Sequence, residues 1–146
     1  MPTWVNQAYQ EYARRMPKIC QLELQEIDAK KRGKNADTAR ILRDEASMIS
    51  AATPANFLTI ALDRKGKPLN TEQLAKQLQN WIDESQNIAI VIGGPEGLDY
   101  DYLRNCNHKW SLSALTFAHP IVRVMLAEQL YRAWSINAKL PYHRGD

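Results

Sequence analysis

Five aliphatic residues follow one another without a break at Ile88-Ala89-Ile90-Val91-Ile92 and run straight into Gly93-Gly94-Pro95-Glu96-Gly97. No polar residue alternates with them, so the segment reads as a buried type of strand, bounded at its carboxyl end by turn residues. It is the longest aliphatic run in the chain. A bilayer span needs roughly 20 apolar residues, so this run cannot be one.

The neighbouring segments alternate between helical and strand periods. Val5, Ala8, Tyr9, Tyr12, Ala13 and Met16 recur at helical spacing as far as Pro17, with Thr3 as a candidate N-cap. From Ile19 to Ile27 the period becomes two, with Cys20, Leu22 and Leu24 facing Gln21, Glu23 and Gln25, which predicts a half-buried strand. Lys30 to Asn35 form a basic loop. A second helix follows, with Ile41, Leu42, Glu45, Met48, Ile49 and Ala52 on one stripe and Pro54 beyond its end. Phe57 to Leu62 predict a short strand entering a turn at Asp63 to Pro68. Thr71 can cap a third helix whose Leu74, Ala75, Leu78, Trp81 and Ile82 share a face. A short helix over Tyr100 to Cys106 and an alternating strand from Trp110 to Leu115 precede a last helix opening at Pro120 and reaching about Ile136. This order predicts an α/β fold, a layered sandwich with a mostly parallel sheet, as one domain over residues 1–146.

Composition narrows the class. Hydrophobic residues at 45% and charged residues at 24% are ordinary for a globular chain and exclude disorder. Two cysteines cannot build a disulfide framework, and no charged, apolar, small-residue series opens the chain, so a cytosolic protein is expected. The net charge of +3 is only mildly basic, and any nucleic-acid contact must come from where the charges sit.

Between Ile121 and Ile136 the strongly polar residues Arg123, Glu128, Gln129, Arg132 and Ser135 are spread around the helical wheel. A helix apolar on nearly every side is covered on both sides, by a second subunit or by the rest of a monomer. Gly93 to Gly97 lie where open α/β sheets place ligands, at the carboxyl end of a strand, although a plain tight turn has the same composition. Ser111 or Ser113 with His119 admits a nucleophilic reading, but the Gly-x-Ser-x-Gly elbow is absent. Cys106 and His108 are two metal-ligand types without a second pair beside them, so a metal site is not expected. The tail Lys139-Leu140-Pro141-Tyr142-His143-Arg144 sets an aromatic, an imidazole and a guanidinium side by side, a combination suited to stacking on an unpaired base and gripping phosphate.

Taken together, several of these stretches resemble the bacterial 23S rRNA pseudouridine-N3 methyltransferases, minimal members of the SPOUT or α/β-knot methyltransferases. They are Met1-Pro-Thr-Trp-Val5, Lys31 to Asp37, Leu62 with Gly66-Lys67-Pro68, Ile92 to Leu98, Trp110 to Thr116, His119-Pro120, Leu130 to Ile136 and Pro141 to Arg144, in order along the chain. The resemblance implies a trefoil-knotted fold, a homodimer, and S-adenosyl-L-methionine bound in the knot by Leu62, Gly93, Leu112, Ser113, Ala114, Leu115, Thr116 and Phe117. Phe117 departs from the family, where an aliphatic residue is common. Family members also open with a short strand of about ten residues ahead of the Met-Pro-x-Trp-Val segment. Met1 stands at that internal methionine, so either the start is set too late or the chain lacks this first strand.

The implied reaction moves a methyl group from the sulfonium to N3 of a pseudouridine in a 23S rRNA loop of the ribosome, with no metal and no membrane. Tyr142, His143 and Arg144 are the expected catalytic or substrate-positioning residues. His143 is either the base that takes the N3 proton or a residue that positions RNA. Arg144 and Arg132 suit the uracil oxygens or phosphate, and Glu128, four residues before Arg132, can hold that arginine by an ion pair. In a dimer the tail of one subunit can reach the other's cofactor pocket. The alternatives are a non-catalytic RNA- or ribosome-binding protein that keeps the fold and, more distantly, a serine hydrolase.

Overall fold

A computed structural model describes residues 2–27, 37–94 and 96–144, excepting the side chains of residues 143 and 144. The predicted basic loop at Lys30 to Asn35 lies outside the described residues. The chain forms two compact units: the residues up to Leu24 with Leu69–Gln86 and those from Phe117 onward, and Gln25–Pro68 with Asn87–Thr116.

The second unit holds a three-stranded sheet. Its strands are β1 (Leu58–Pro68), β2 (Ile88–Ile92) and β3 (His108–Ser111), in the spatial order β2-β1-β3. Both pairings are parallel, as the alternation of elements requires, since a parallel neighbour can be reached only through a long connection. Leu58 to Leu62 pair with Ile88 to Ile92, and Ile60 to Leu62 pair with His108 to Trp110. Ile60 and Ala61, at the centre of the middle strand, are fully buried. Helix α2 (Thr38–Ala52) is capped by Asp37, whose carboxylate accepts from the Arg40 N–H at 3.2 Å. Its predicted stripe is the covered one: Ile41 is buried and Leu42, Glu45, Met48, Ile49 and Ala52 are half-buried.

The other unit is helical. Helices α1 (Thr3–Ala13) and α3 (Thr71–Asp83) both pack against the long last helix, α5 (His119–Asn137). Helix α4 (Tyr100–Asn105), in the sheet unit, is short. Leu74, Ala75, Leu78 and Trp81 of α3 are buried, as the spacing predicted, and a fully buried side chain of the larger kinds contributes roughly 1.5–3 kcal/mol. Two polar bonds pin the α3–α5 contact: Thr71 Oγ1 donates to Gln129 Oε1 at 2.9 Å, and Asn137 Nδ2 donates to the Ala75 carbonyl at 2.8 Å. On α5 itself Ala127, Leu130, Ala133 and Ser135 are buried, so α1 and α3 supply cover that the sequence left between a partner and the same chain.

Five local expectations are corrected, the first being the turn at Asp63 to Pro68, which β1 runs through because Lys67 and Pro68 pair again with β3. Ile19 to Ile27 form no strand. Lys18–Cys20 is a single 3-10 turn, and no described strand pairs with the extended residues after it, so the alternation has no ladder to join. Thr3 lies inside α1, where Pro2 holds the cap position. Thr71 likewise starts α3, while Asn70 caps it in a reciprocal box with Gln73, each side chain satisfying the other's N–H. The strand predicted over Trp110 to Leu115 stops at Ser111, because Ser113 Oγ accepts from the Leu115 N–H at 3.0 Å and bends the chain away.

Candidate functional site

Three chain segments leave the carboxyl ends of the parallel strands together. Leu62 of the central strand pairs with Ile92 on one side and Trp110 on the other, so the Gly93–Gly97 loop and the Ser111–Thr116 loop begin on either side of it. This brings Leu62, Gly93 and Leu112 to Thr116 to one end of one sheet. Phe117, half-buried, begins the helical unit.

Glycine chemistry shapes the first loop. A Cβ on Gly93 would lie 2.8 Å from the Gly97 carbonyl carbon and 2.9 Å from its oxygen, because the chain folds back to pair Gly94 with Gly97. Gly97 takes φ +82°, a conformation L side chains rarely adopt. These glycines are therefore required by the loop's own closure. In the second loop the buried Ser111 Oγ donates to the Ser113 carbonyl at 2.9 Å, and Ser113 Oγ is held by Leu115 N–H. Both hydroxyls thus shape the loop, which removes the basis for the nucleophilic reading. Arg64 Nη1 donates to Thr116 Oγ1 at 3.1 Å and ties the loop to β1.

The side chains at this strand end suit the apolar part of S-adenosylmethionine. Leu115 is 68% exposed at the sheet's end, an apolar side chain free to cover an adenine, and Leu62 is half-buried nearby in register. Cys106 is buried and donates its thiol to the Tyr102 carbonyl at 3.3 Å, and burial pushes its pKa up, away from the thiolate a metal would need. Among the described residues no three of His, Cys, Asp and Glu gather as a metal site. No helix is long and apolar enough to cross a membrane, again among the described residues.

The helical unit carries a second constellation. At the end of α5, Lys139 adopts φ 61° while Leu140 N–H reaches the Ser135 carbonyl at 2.8 Å and Lys139 N–H the Ile136 carbonyl at 3.1 Å. This is a Schellman reversal built without glycine. It sends the chain into the 3-10 turn Pro141–Arg144, packed on α5. There the Tyr142 hydroxyl donates to Glu128 Oε2 at 2.9 Å. The same carboxylate receives Arg132 through Nη2 at 2.8 Å and Nε at 3.1 Å, and Gln129 Nε2 at 3.0 Å. The predicted Glu128–Arg132 pair is thus present, and it raises the Arg132 pKa further. The Arg132 guanidinium also stands 5.0 Å from the Tyr142 ring centre, and Tyr131 meets that ring edge-on at 4.8 Å. Burial, then hydrogen bonding to Tyr12 and Glu128, pushes the Tyr142 pKa well up.

Tyr142 is therefore anchored and half-buried. Of the other two expected tail residues, the backbone of His143 and Arg144 belongs to the same turn, and their side chains lie outside the described residues. Sequence reasoning missed Tyr12, Tyr131 and Arg15, whose guanidinium sits 5.4 Å and 5.6 Å from the Tyr12 and Tyr131 ring centres. The pairs Arg15–Tyr131 and Tyr12–Tyr142 join the end of the first helix to the last helix and its tail, elements distant in sequence, and nothing local marks them.

Comparison with known proteins identifies the family. A family model described as "Predicted SPOUT methyltransferase" matches residues 1–143. The chain is 51% identical over 144 residues to "Ribosomal RNA large subunit methyltransferase H" of Thioalkalivibrio sulfidiphilus, covering 99% of this chain and 92% of that one. It is 46% identical, with the same coverage, to the protein of that name from Hydrogenovibrio crunogenus. With a parallel α/β sheet, strand-end loops shaped by glycine and serine, and a match over nearly its whole length, the chain belongs to the SPOUT methyltransferase family.

Proposed function

We propose that the chain is one methyltransferase domain that moves a methyl group from S-adenosyl-L-methionine to N3 of a pseudouridine in 23S rRNA. The observation that carries the reading is the convergence of Leu62, Gly93 and the Leu112–Thr116 loop at the carboxyl end of a parallel sheet. The relatives named as large-subunit ribosomal RNA methyltransferases support the substrate class. In this reading the strand-end loops form the knot, with Leu62, Leu115 and the loop backbone, into Phe117, holding the cofactor.

When bound, the cofactor supplies an activated methyl on a sulfonium. The chain's own task is then to align N3 and exclude water. His143 holds or removes the N3 proton, and Arg144 and Arg132 balance charge on the uracil oxygens. Tyr142 sets the turn that carries His143 and Arg144, through its bond to Glu128. The working unit is a cytoplasmic homodimer in which the tail of one protomer serves the partner's cofactor loops. Trp4 at 55% and Ile121 at 42% exposure, large apolar residues on α1 and α5, support a partner surface. Such an interface would bury more than roughly 1,000 Å².

The test is mass spectrometry of 23S rRNA nucleosides from a strain lacking the gene. Loss of a methylated pseudouridine, restored by the wild-type gene, is the expected result. Intact methylation refutes the activity. Titration calorimetry that finds no S-adenosylmethionine binding leaves a ribosome-binding protein instead.

A further inference from the structure

The central strand β1 breaks its own ladder. Leu62 pairs with Trp110, and so does Lys67, so residues 63–66 stand in β1 as extra residues with no partner on β3, which does not advance at all. Irregularities of this kind beside a site re-aim side chains. This one is locked at both ends. A Cβ on Gly66 would lie 2.7–2.8 Å from backbone atoms of Lys109 and Trp110, so the returning chain presses directly on β3. Asp63 Oδ2 accepts from the Lys65 N–H at 3.2 Å, and Arg64 is bonded to Thr116.

The residues carried on this excursion and beside it are Arg64, Lys65, Lys67 and Lys109, all exposed. None of them is paired with a carboxylate among the described residues. Arg64, Lys65 and Lys67 therefore follow Leu62 at the end where the Gly93–Gly97 and Ser111–Thr116 loops begin, and Lys109 stands one position before Trp110, the residue that Leu62 and Lys67 both pair with. Lysines on a mobile surface would lose much of their attraction to ordering, whereas backbone held in advance loses less. A polyanion with evenly spaced charges suits such a cluster.

We infer that the Asp63–Gly66 excursion, with Lys67 and Lys109, is a phosphate-binding element that grips the RNA backbone flanking the target nucleoside. The inference rests on the proposed methyl transfer to rRNA, because it is the substrate strand that must be held over the cofactor loops. Lys65 and Lys67 contact phosphates and read no base, so they set affinity and its salt dependence. Arg64 couples the grip to the cofactor loop through Thr116.

The experiment compares wild type with a Lys65→Gln/Lys67→Gln double variant, and with Lys76→Gln on α3 as a control for lost charge. Methyl transfer to 70S ribosomes purified from a strain lacking the gene gives KM and kcat. Ribosome co-sedimentation between about 50 and 200 mM salt gives the salt slope. The double variant should raise KM roughly tenfold, with kcat and S-adenosylmethionine affinity unchanged. Its log–log salt slope should be shallower by about 1–1.5, from roughly 0.7 per phosphate on a single strand. Lys76→Gln should match wild type. Unchanged KM and slope in an active enzyme overturn the inference and leave the activity standing. Lost cofactor affinity overturns it too, by moving these lysines into the donor site. If wild type transfers no methyl to ribosomes, the proposed function fails instead, and this inference with it.

Discussion

Replacing Glu128 with alanine removes one carboxylate on which three donors converge. The Glu128 side chain is 19% exposed and Arg132 23%, so the pair is shielded but not sealed. Removing one partner of a fully buried pair costs about 3–5 kcal/mol. With about a fifth of each group still in water, Arg132 can recover part of its solvation, and about 2 kcal/mol is the expected loss. In a chain of this size that lowers Tm by about 4–8 °C. Tyr142→Phe deletes the hydroxyl's bonds to the Glu128 carboxylate and to Tyr12 and should cost about 1.5–3 kcal/mol, since the ring keeps its contacts with Tyr131 and Arg132. The two losses share one interaction, so they should not add. Urea unfolding of wild type, both single variants and the double variant, at one protein concentration, gives the coupling. A coupling near 1 kcal/mol or more is expected. Additivity within about 0.4 kcal/mol would show that the Tyr142–Glu128 bond contributes nothing, and the anchoring of the tail would have to be abandoned.

Other outcomes follow from the same geometry. Gly66→Ala should cost about 1–3 kcal/mol by forcing β1 from β3, and Gly97→Ala, with open space but φ +82°, about 1–2 kcal/mol of backbone strain; a Gly66→Ala midpoint equal to wild type in thermal melts would contradict the close approach. Gly93→Val should abolish S-adenosylmethionine binding in calorimetry by breaking the closure onto Gly97, and unchanged affinity would remove Gly93 from the site. Burial pushes the Tyr102 hydroxyl up to about 12, so its contribution is full below pH about 10 and is lost as pH rises from about 10 towards 12; Tyr102→Phe should flatten that alkaline fall, and an unchanged pH profile of the unfolding midpoint would count against it. Truncation before Tyr142 should keep cofactor affinity near wild type and abolish ribosome methylation; lost binding or intact turnover would make the tail structural or idle.

How much could be read in advance differs between elements for physical reasons. The covered stripe of α2 and the buried face of α3 were legible because a helix repeats within four residues, and the pattern records its own packing. The Glu128–Arg132 pair was legible for the same reason. The strand expected at Ile19 to Ile27 had the right alternation, yet alternation states only what a strand needs and not whether a neighbour exists. The length of β1 was misjudged because Asp63-Arg64-Lys65-Gly66 has turn composition, and only the Gly66 contact with β3 shows the chain returning to the sheet. The left-handed turns after α3 and α5 gave no signal, since Ser85 and Lys139 stand where glycine would have announced a cap, although the end of α5 near Ile136 was legible.

The amino-acid order by itself therefore determined the class of fold, the strand-end placement of Gly93, and the family. Each depends on neighbours within a few residues or on many short matches in a row. Tertiary structure alone decided which residues meet: Tyr142 on Glu128 across fourteen positions, Arg64 on Thr116 across fifty-two, and Gly66 against Lys109. Such contacts depend on register between strands and on the direction in which a helix end turns. A short-range pattern carries no record of either, because the same local sequence is compatible with several registers until the packed neighbours choose one.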